Sequence, residues 1–203
     1  MKFFLKKFEF CLIILIFILT SSSFKPSYDE IESVCLSAEE KKLYELIMDY
    51  RKSKNLPRIP VSPSLTYVAK THAQDLKDNY TLKDPCNPHS WSGKGRWKEC
   101  CYYADHRNAK CMWDKPRELT SYTSDGFEIA YFHSDKVVAG QALEAWKKSK
   151  GHNMVIVNLD IWKKVNWKAI GIGIHQNYAT VWFGATEDKE GKVELCPEQV
   201  ENH

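Results

Sequence analysis

The sequence lacks a strong charge of either sign. Its 203 residues include 29 Lys and Arg against 26 Asp and Glu, a formal net charge of +3. Three of the lysines and one glutamate fall within residues 1–23, so the remainder is nearly neutral. Proteins that bind nucleic acid present a clustered basic face. This charge balance therefore excludes nucleic acid as an expected partner.

Long apolar runs are also missing. The longest run covers residues 10–19 and is shorter than the roughly 20 residues that span a membrane. It follows a lysine-rich start and precedes a short series of small residues, which is the order of a secretory signal peptide. We expect residues 1–23 to be a signal peptide and the mature protein to be extracellular, without a stable membrane span. An uncleaved N-terminal anchor is the alternative.

Several catalytic and metal-binding motifs are absent. No two cysteines have the Cys-x-x-Cys spacing of common zinc sites. The chain also has no His-Glu-x-x-His segment, and no nucleophile stands in a recognisable motif with its base. The sequence alone therefore assigns no catalytic residue.

Cysteines, in contrast, are frequent outside the apolar run. Six follow the predicted signal peptide: Cys35, Cys86, Cys100, Cys101, Cys111 and Cys196. An even number in a secreted chain predicts three disulfides. Six cysteines allow 15 pairings. We expect Cys35 to bond Cys196, tying the two ends together, and Cys86 and Cys111 each to bond one member of the adjacent pair. Zinc coordination by these cysteines is the alternative.

Two amphipathic helices are predicted in the first part of the mature chain. Ser37 and Glu40 have the spacing of a capping box, and Ser62 followed by Pro63 has the order of a second helix start. His72 falls in the apolar stripe of the second helix. We interpret it as a buried, hydrogen-bonded structural residue in preference to a ligand.

A strand and a hairpin follow a long loop. Residues 79–124 show little periodicity and hold four of the six mature cysteines. Residues 126–131 predict a strand, and residues 169–174 and 178–184 predict the two strands of a hairpin. With the helices, this order predicts an α+β fold in which helices cover an antiparallel sheet.

A third helix lies between the strand and the hairpin. Ser134 or Asp135 is the expected cap, and Gly151 the expected stop, in a left-handed conformation. Such a turn would hold His152 just beyond the helix. Glu128, in the preceding strand among apolar neighbours, needs a partner if it is buried.

Together these motifs resemble the CAP superfamily, which contains cysteine-rich secretory proteins, antigen 5 and pathogenesis-related proteins. The most specific segment is Trp146-x-x-Ser-x-Gly-His152, which is similar to the bacterial-like branch. His89-Ser90, Glu128-Ile129 and the closing hairpin fit as well. The resemblance covers about residues 39–186 and implies a CAP-type α-β-α sandwich, stapled by disulfides.

The same resemblance divides the chain and implies a site. A linker at residues 24–38 would precede the CAP domain at residues 39–186, and residues 187–203 would form a C-terminal tail. His89, Glu128 and His152 match three of the four residues of the family's metal-binding cleft. Zinc or another divalent metal is therefore the candidate cofactor.

One position departs from that cleft. Ser149 stands where animal members of the family have a second acid, which implies modest metal affinity. The alternative function is that of an enzyme, a metal-dependent hydrolase or protease that uses the His-Glu-His cleft. The favoured function is a secreted, monomeric binding or interaction module for a lipid or sterol, a glycan or a protein.

Tryptophans are the candidate contacts for such a ligand. We expect Trp91, Trp97 and Trp113 to be exposed in the stapled loop. In contrast, we expect Trp146, Trp167 and Trp182 to lie in the core.

The leader gives the first testable prediction. A basic start followed by an apolar run directs export, so cleavage is expected near Ser21 to Ser23. N-terminal sequencing of protein recovered from the medium checks this. Secreted protein that still begins at Met1 would contradict it.

Overall fold

Helices cover both faces of a three-stranded antiparallel sheet in the computed structural model, which describes residues 31, 33–81 and 85–197. The predicted signal peptide and most of the predicted linker lie outside the described residues. The helices are α1 (Ala38–Ser53), α2 (Pro63–Asn79), α3 (Ala109–Trp113), α4 (Lys115–Leu119), α5 (Ala139–Lys148) and α6 (Lys150–Ile156). The strands are β1 (Cys35–Leu36), β2 (Gly126–Phe132), β3 (Ala169–His175), β4 (Tyr178–Gly184) and β5 (Glu194–Leu195). In the main sheet the order is β2-β4-β3.

Each face of the sheet has its own core. Ile129, Ile172 and Val181 point to one face, where they pack with residues of α1, α5 and α6. On the opposite face, Trp182 packs with Leu65 of α2 and with side chains of the stapled loop. This arrangement is the predicted α-β-α sandwich, and the strands alternate between the two cores as the period of a strand requires.

The predicted caps of α1 and α2 are confirmed. Ser37 and Glu40 form the capping box at the start of α1, and the Ser62 hydroxyl accepts from the backbone N–H of Leu65, with Pro63 at the first helical position. Glu40 does more than cap, because its fully buried carboxylate also accepts from Lys70 Nζ at 2.6 Å. The cap therefore also ties α1 to α2.

Helix α2 and strand β3 approach at backbone contact. A Cβ added to Gly171 would lie 2.0 Å from the carbonyl carbon of Leu65, and one added to Gly173 would lie 2.3 Å from that of Ala69. The bare glycine face of β3 is thus the surface on which α2 rests. Thr180 on β4 adds a hydrogen bond from its hydroxyl to the Ala69 carbonyl, at 2.9 Å.

All three predicted disulfides are present. Cys35 bonds Cys196, and the other two bridges join Cys86 to Cys101 and Cys100 to Cys111. The first bridge is reinforced by a short parallel pairing of β1 with β5. The predicted linker and tail are therefore joined to each other beside the main sheet. The loop predicted at residues 79–124 also contains two short helices, α3 and α4, which the sequence pattern did not reveal.

The predicted ends of the third helix are wrong. Helix α5 begins at Ala139 without a side-chain cap, so neither Ser134 nor Asp135 starts it. It ends at Lys148, Ser149 adopts extended backbone, and a new helix, α6, runs through Gly151. Gly151 is not left-handed. Glycine permits a helix stop but does not require one, and here buried Val155 and Ile156 further along hold the second helix against the core.

Among the described residues, no helix combines the length and apolarity that crossing a membrane requires.

The contact between α2 and β3 predicts a sharp effect of a single methyl group. Gly173→Ala should lower the free energy of unfolding by about 2 kcal/mol or more, because the new Cβ meets helix backbone that cannot give way. Chemical denaturation measures the loss. Gly140→Ala is the matched control, since nothing lies within 4 Å of its added Cβ, and it should be neutral or slightly stabilising. Equal effects of the two substitutions would contradict the close approach.

Candidate functional site

The packing of α2 brings His72 onto Glu128. Glu128, Trp182 and Gly171 are cross-strand neighbours in one row of the sheet, on the face that α2 covers. His72 lies on α2 one turn beyond Ala69, and its Nδ1 forms a short hydrogen bond with Glu128 Oε1. Its Nε2 is 2.9 Å from the carbonyl oxygen of Ser90. Both ring nitrogens of His72 are therefore occupied, and the side chain is fully buried.

A tight turn presents His89 to the other oxygen of the same carboxylate. The Asn87 side chain accepts from the His89 backbone N–H at 3.0 Å, and the Asn87 carbonyl accepts from that of Ser90 at 2.9 Å. The Cys86–Cys101 bridge holds the base of this turn. His89 Nδ1 lies 2.8 Å from Glu128 Oε2, and about a fifth of the His89 side chain remains exposed.

Glu128 is consequently a buried carboxylate between two imidazoles. Its side chain has no exposed surface. Burial by itself would raise the pKa of Glu128, but the charges and hydrogen bonds of His72 and His89 outweigh burial and lower the pKa to about 2. At neutral pH Glu128 is therefore ionised and has an imidazole at each oxygen.

His152 completes the cleft from the side of α6. It lies in the first turn of that helix, and its ring centroid is 6.2 Å from that of His89. The next residue, Asn153, accepts a hydrogen bond from the Tyr50 hydroxyl at 2.9 Å, which anchors α6 to α1. Burial, aided by the charge of His89, lowers the pKa of His152 to about 4, although Glu128 opposes the shift. His152 is thus neutral at pH 7.

The three site residues predicted from the sequence lie close together, with His89 between the other two. His89 contacts Glu128 and lies beside His152. Within the described structure, Glu128 and His152 share no hydrogen bond. The structure adds His72, which we had interpreted as structural: it is buried and hydrogen-bonded, as expected, but its partner is the site carboxylate. His72 and Glu128 both stand among apolar residues in the sequence, and a buried polar group needs a partner. That shared requirement is the signal from which their contact could have been predicted.

The described residues show no preformed three-ligand zinc site. Each Glu128 oxygen faces an imidazole nitrogen, so in this arrangement the carboxylate orients the two histidine rings. Over residues 31, 33–81 and 85–197, no group of three or more His, Cys, Asp or Glu side chains is arranged to hold a metal ion. We therefore assign no chemical step in this cleft to a metal.

The predicted exposure of Trp91 is also wrong. Trp91 is 1% exposed and stacks on the His72 ring, with centroids 4.2 Å apart and planes 6° apart. Trp97 and Trp113 are only half-buried. The disulfide-stapled loop folds Trp91 onto α2 and leaves Trp97 and Trp113 partly exposed. Trp146, Trp167 and Trp182 lie in the core, as predicted.

The sequence and the fold match a known family. The sequence model of the CAP family, described as the cysteine-rich secretory protein family, matches residues 44–183. The chain belongs to the CAP family. No curated protein sequence matches it.

Solved structures resemble the CAP domain at low sequence identity. An extracellular protein containing an SCP domain from Bacillus anthracis superposes with a TM-score of 0.52 at 18% identity, over 73% of this chain and 40% of that one. This chain thus spans less than half of that relative, and the likeness shows the fold alone. An outer surface protein from Borrelia burgdorferi superposes with a TM-score of 0.49 at 18% identity, over 81% of this chain and 98% of the other.

The depressed pKa of His152 predicts how acid affects stability. Because the pKa falls from 6.5 to about 4 on folding, the unfolded chain takes up this proton first as the pH drops. Stability therefore decreases from pH 6.5 towards pH 4. Between about pH 7.5 and about pH 5, we expect wild type to lose on the order of 2 kcal/mol through this residue. Urea unfolding at both pH values, on wild type and His152→Gln, measures it.

The two variants of this experiment have different expected outcomes. His152→Gln should lose clearly less stability than wild type over this pH interval. The control His133→Gln, which changes a histidine beyond the end of β2, should lose as much as wild type. An equal loss in wild type and His152→Gln would show that His152 is not the group responsible.

Proposed function

We propose that this CAP domain is an extracellular binding module whose cleft, formed by His89 and His152, recognises a polar ligand. One observation carries the proposal: both oxygens of Glu128 are held by imidazole nitrogens. A carboxylate that is engaged by two imidazoles orients those rings and is less available as the general base that a hydrolase would need. The cleft instead offers two neighbouring imidazoles, those of His89 and His152.

The surroundings also disfavour a serine nucleophile. Ser90 is buried, and its hydroxyl accepts from the backbone N–H of Tyr102 at 2.8 Å. Its carbonyl is occupied by His72. Although Ser90 follows His89 in sequence, its hydroxyl and its carbonyl are thus both used in holding the turn.

The chemistry of the two imidazoles favours hydrogen-bonding ligands. When His89 donates from Nδ1 to Glu128, its Nε2 offers a lone pair. Neutral His152 offers one donor and one acceptor. The ring of Tyr102 lies 5.2 Å from that of His89 and adds an aromatic wall. Hydroxyl and amide groups, as in a glycan or a peptide, match these positions better than a lipid chain does.

Secretion is part of the same proposal. One structural neighbour described above is an extracellular protein. Three disulfides in a chain of this size fit an oxidising compartment. Both observations support an extracellular location for this chain.

The binding proposal is tested with soluble oligosaccharides and short peptides. Each is titrated into the protein while NMR follows the ring signals of His89 and His152. We expect a ligand among them to shift both sets of signals, and the double substitution His89→Ala with His152→Ala to weaken its binding at least tenfold, because both polar contacts are removed. His133→Ala is the control and should bind as wild type does.

The same samples test the alternative. Peptide and ester cleavage is measured for wild type and His152→Ala, each with and without a chelator. A hydrolase would show turnover in wild type that is lost in His152→Ala. That result, with no binding lost in the double variant, would overturn the proposal.

A further inference from the structure

The loop of residues 102–110 continues the wall of the cleft beyond His89. Disulfides hold the chain at both ends of this loop. At its start the backbone N–H of Tyr102 donates to the Ser90 hydroxyl at 2.8 Å, and the Tyr102 carbonyl accepts from the N–H of Asn87 at 3.0 Å. The loop and the turn that carries His89 are therefore one connected unit.

Tyr102 connects His89 to a further histidine. The centroid of its ring lies 5.2 Å from that of His89. Its hydroxyl is 2.8 Å from Nδ1 of His106, and the two ring centroids are 5.8 Å apart. The rings of His152 and His89 are 6.2 Å apart. Each of four rings thus lies beside the next, from His152 through His89 and Tyr102 to His106.

His106 is exposed and has an uncommon backbone conformation. Its φ is 63°, in the left-handed region that residues other than glycine seldom adopt. Among the described residues, the Tyr102 hydroxyl is the hydrogen-bond partner of its Nδ1, and its Nε2 has none. Glycine would fit this backbone without strain, so the fold itself does not require histidine here. Residues held in such conformations are concentrated at binding and active sites.

The tip of the loop has its two ionic side chains paired with each other. The Arg107 guanidinium lies 3.9 Å from the centre of the Tyr103 ring, and its Nε is 3.6 Å from Asp105 Oδ1. The tip therefore adds an aromatic face and hydrogen-bonding groups next to His106. Such a surface suits a neutral ligand better than an ionic one.

We propose that the cleft continues from His89 over Tyr102 to His106 and binds a neutral oligosaccharide of several units, with His106 as a specificity-determining residue. This inference rests on the proposed function, because it extends the same cleft. Sugar rings match the wall, since their C–H faces pack on aromatic rings while their hydroxyls bond the ring nitrogens. The spacing between neighbouring rings is comparable to the width of one pyranose, so successive sugar units can contact successive side chains. Tyr102 is a positioning residue, because its hydroxyl holds the His106 ring.

The dependence of affinity on ligand length tests the proposal. Neutral oligomers of N-acetylglucosamine and of glucose, from the monosaccharide to the hexasaccharide, are titrated into the protein by calorimetry. We expect the hexasaccharide of at least one series to bind at least tenfold more tightly than its disaccharide, because only the longer chain reaches His106. In His106→Gly this gain should disappear, while the affinity for the disaccharide stays unchanged. Glycine suits the left-handed backbone at this position, so the variant keeps the shape of the loop.

Two further variants separate recognition from folding. Tyr102→Phe keeps the ring but removes the hydroxyl that holds His106, so it should weaken the hexasaccharide several-fold and leave the disaccharide unchanged. His133→Ala is the control and should match wild type with every ligand. NMR gives an independent readout, in which the hexasaccharide should shift the ring signals of His106 and the disaccharide should not.

The outcomes distinguish this proposal from the proposed function. If sugars shift the signals of His89 and His152 but length brings no gain, the extension is wrong and the cleft remains a binding site. A gain that survives in His106→Gly would also overturn the extension. If no oligosaccharide of either series binds, this proposal is overturned, whereas short peptides that bind instead would leave the proposed function standing. If peptides fail as well, both are wrong.

Discussion

Helix α2 rests on the glycine face of β3, with no side chain between the two backbones at Gly171 and Gly173. This short separation sets how far the helix reaches over the sheet. One turn beyond Ala69 it places His72 against Glu128, and a wider spacing would leave the buried carboxylate without one of its two partners. Sheet packing and site chemistry therefore depend on the same contact.

In the cleft that results, histidines engage both oxygens of the buried carboxylate. Glu128 is stabilised by two histidines from different parts of the chain, one on α2 and one in the turn after it. The Cys86–Cys101 bridge and the Asn87 turn keep His89 in reach. The architecture thus surrounds a single acid with histidines, which differs from a cleft built around two acids.

Local chemistry made parts of this structure predictable. Ser37, Glu40 and Ser62 cap helices through hydrogen bonds within three residues, so their sequence spacing was sufficient. Alternation of glycine with isoleucine likewise specified the two faces of β3. Helix boundaries that depend on distant partners were not predictable. The helix break at Ser149 follows from tertiary packing, and its expected position at Gly151 came from local preference alone.

The burial of Trp91 in the disulfide-stapled loop also could not be predicted from the sequence. Trp91 looked available for a ligand, but it covers His72, which lies 19 residues away in the chain and on another element. Only the fold reveals that contact.

The Cys35–Cys196 bridge, with a sequence separation of 161, closes almost the entire described domain into a covalent ring. A protease that cuts any one peptide bond inside that ring releases no fragment, so a domain nicked once stays in one piece.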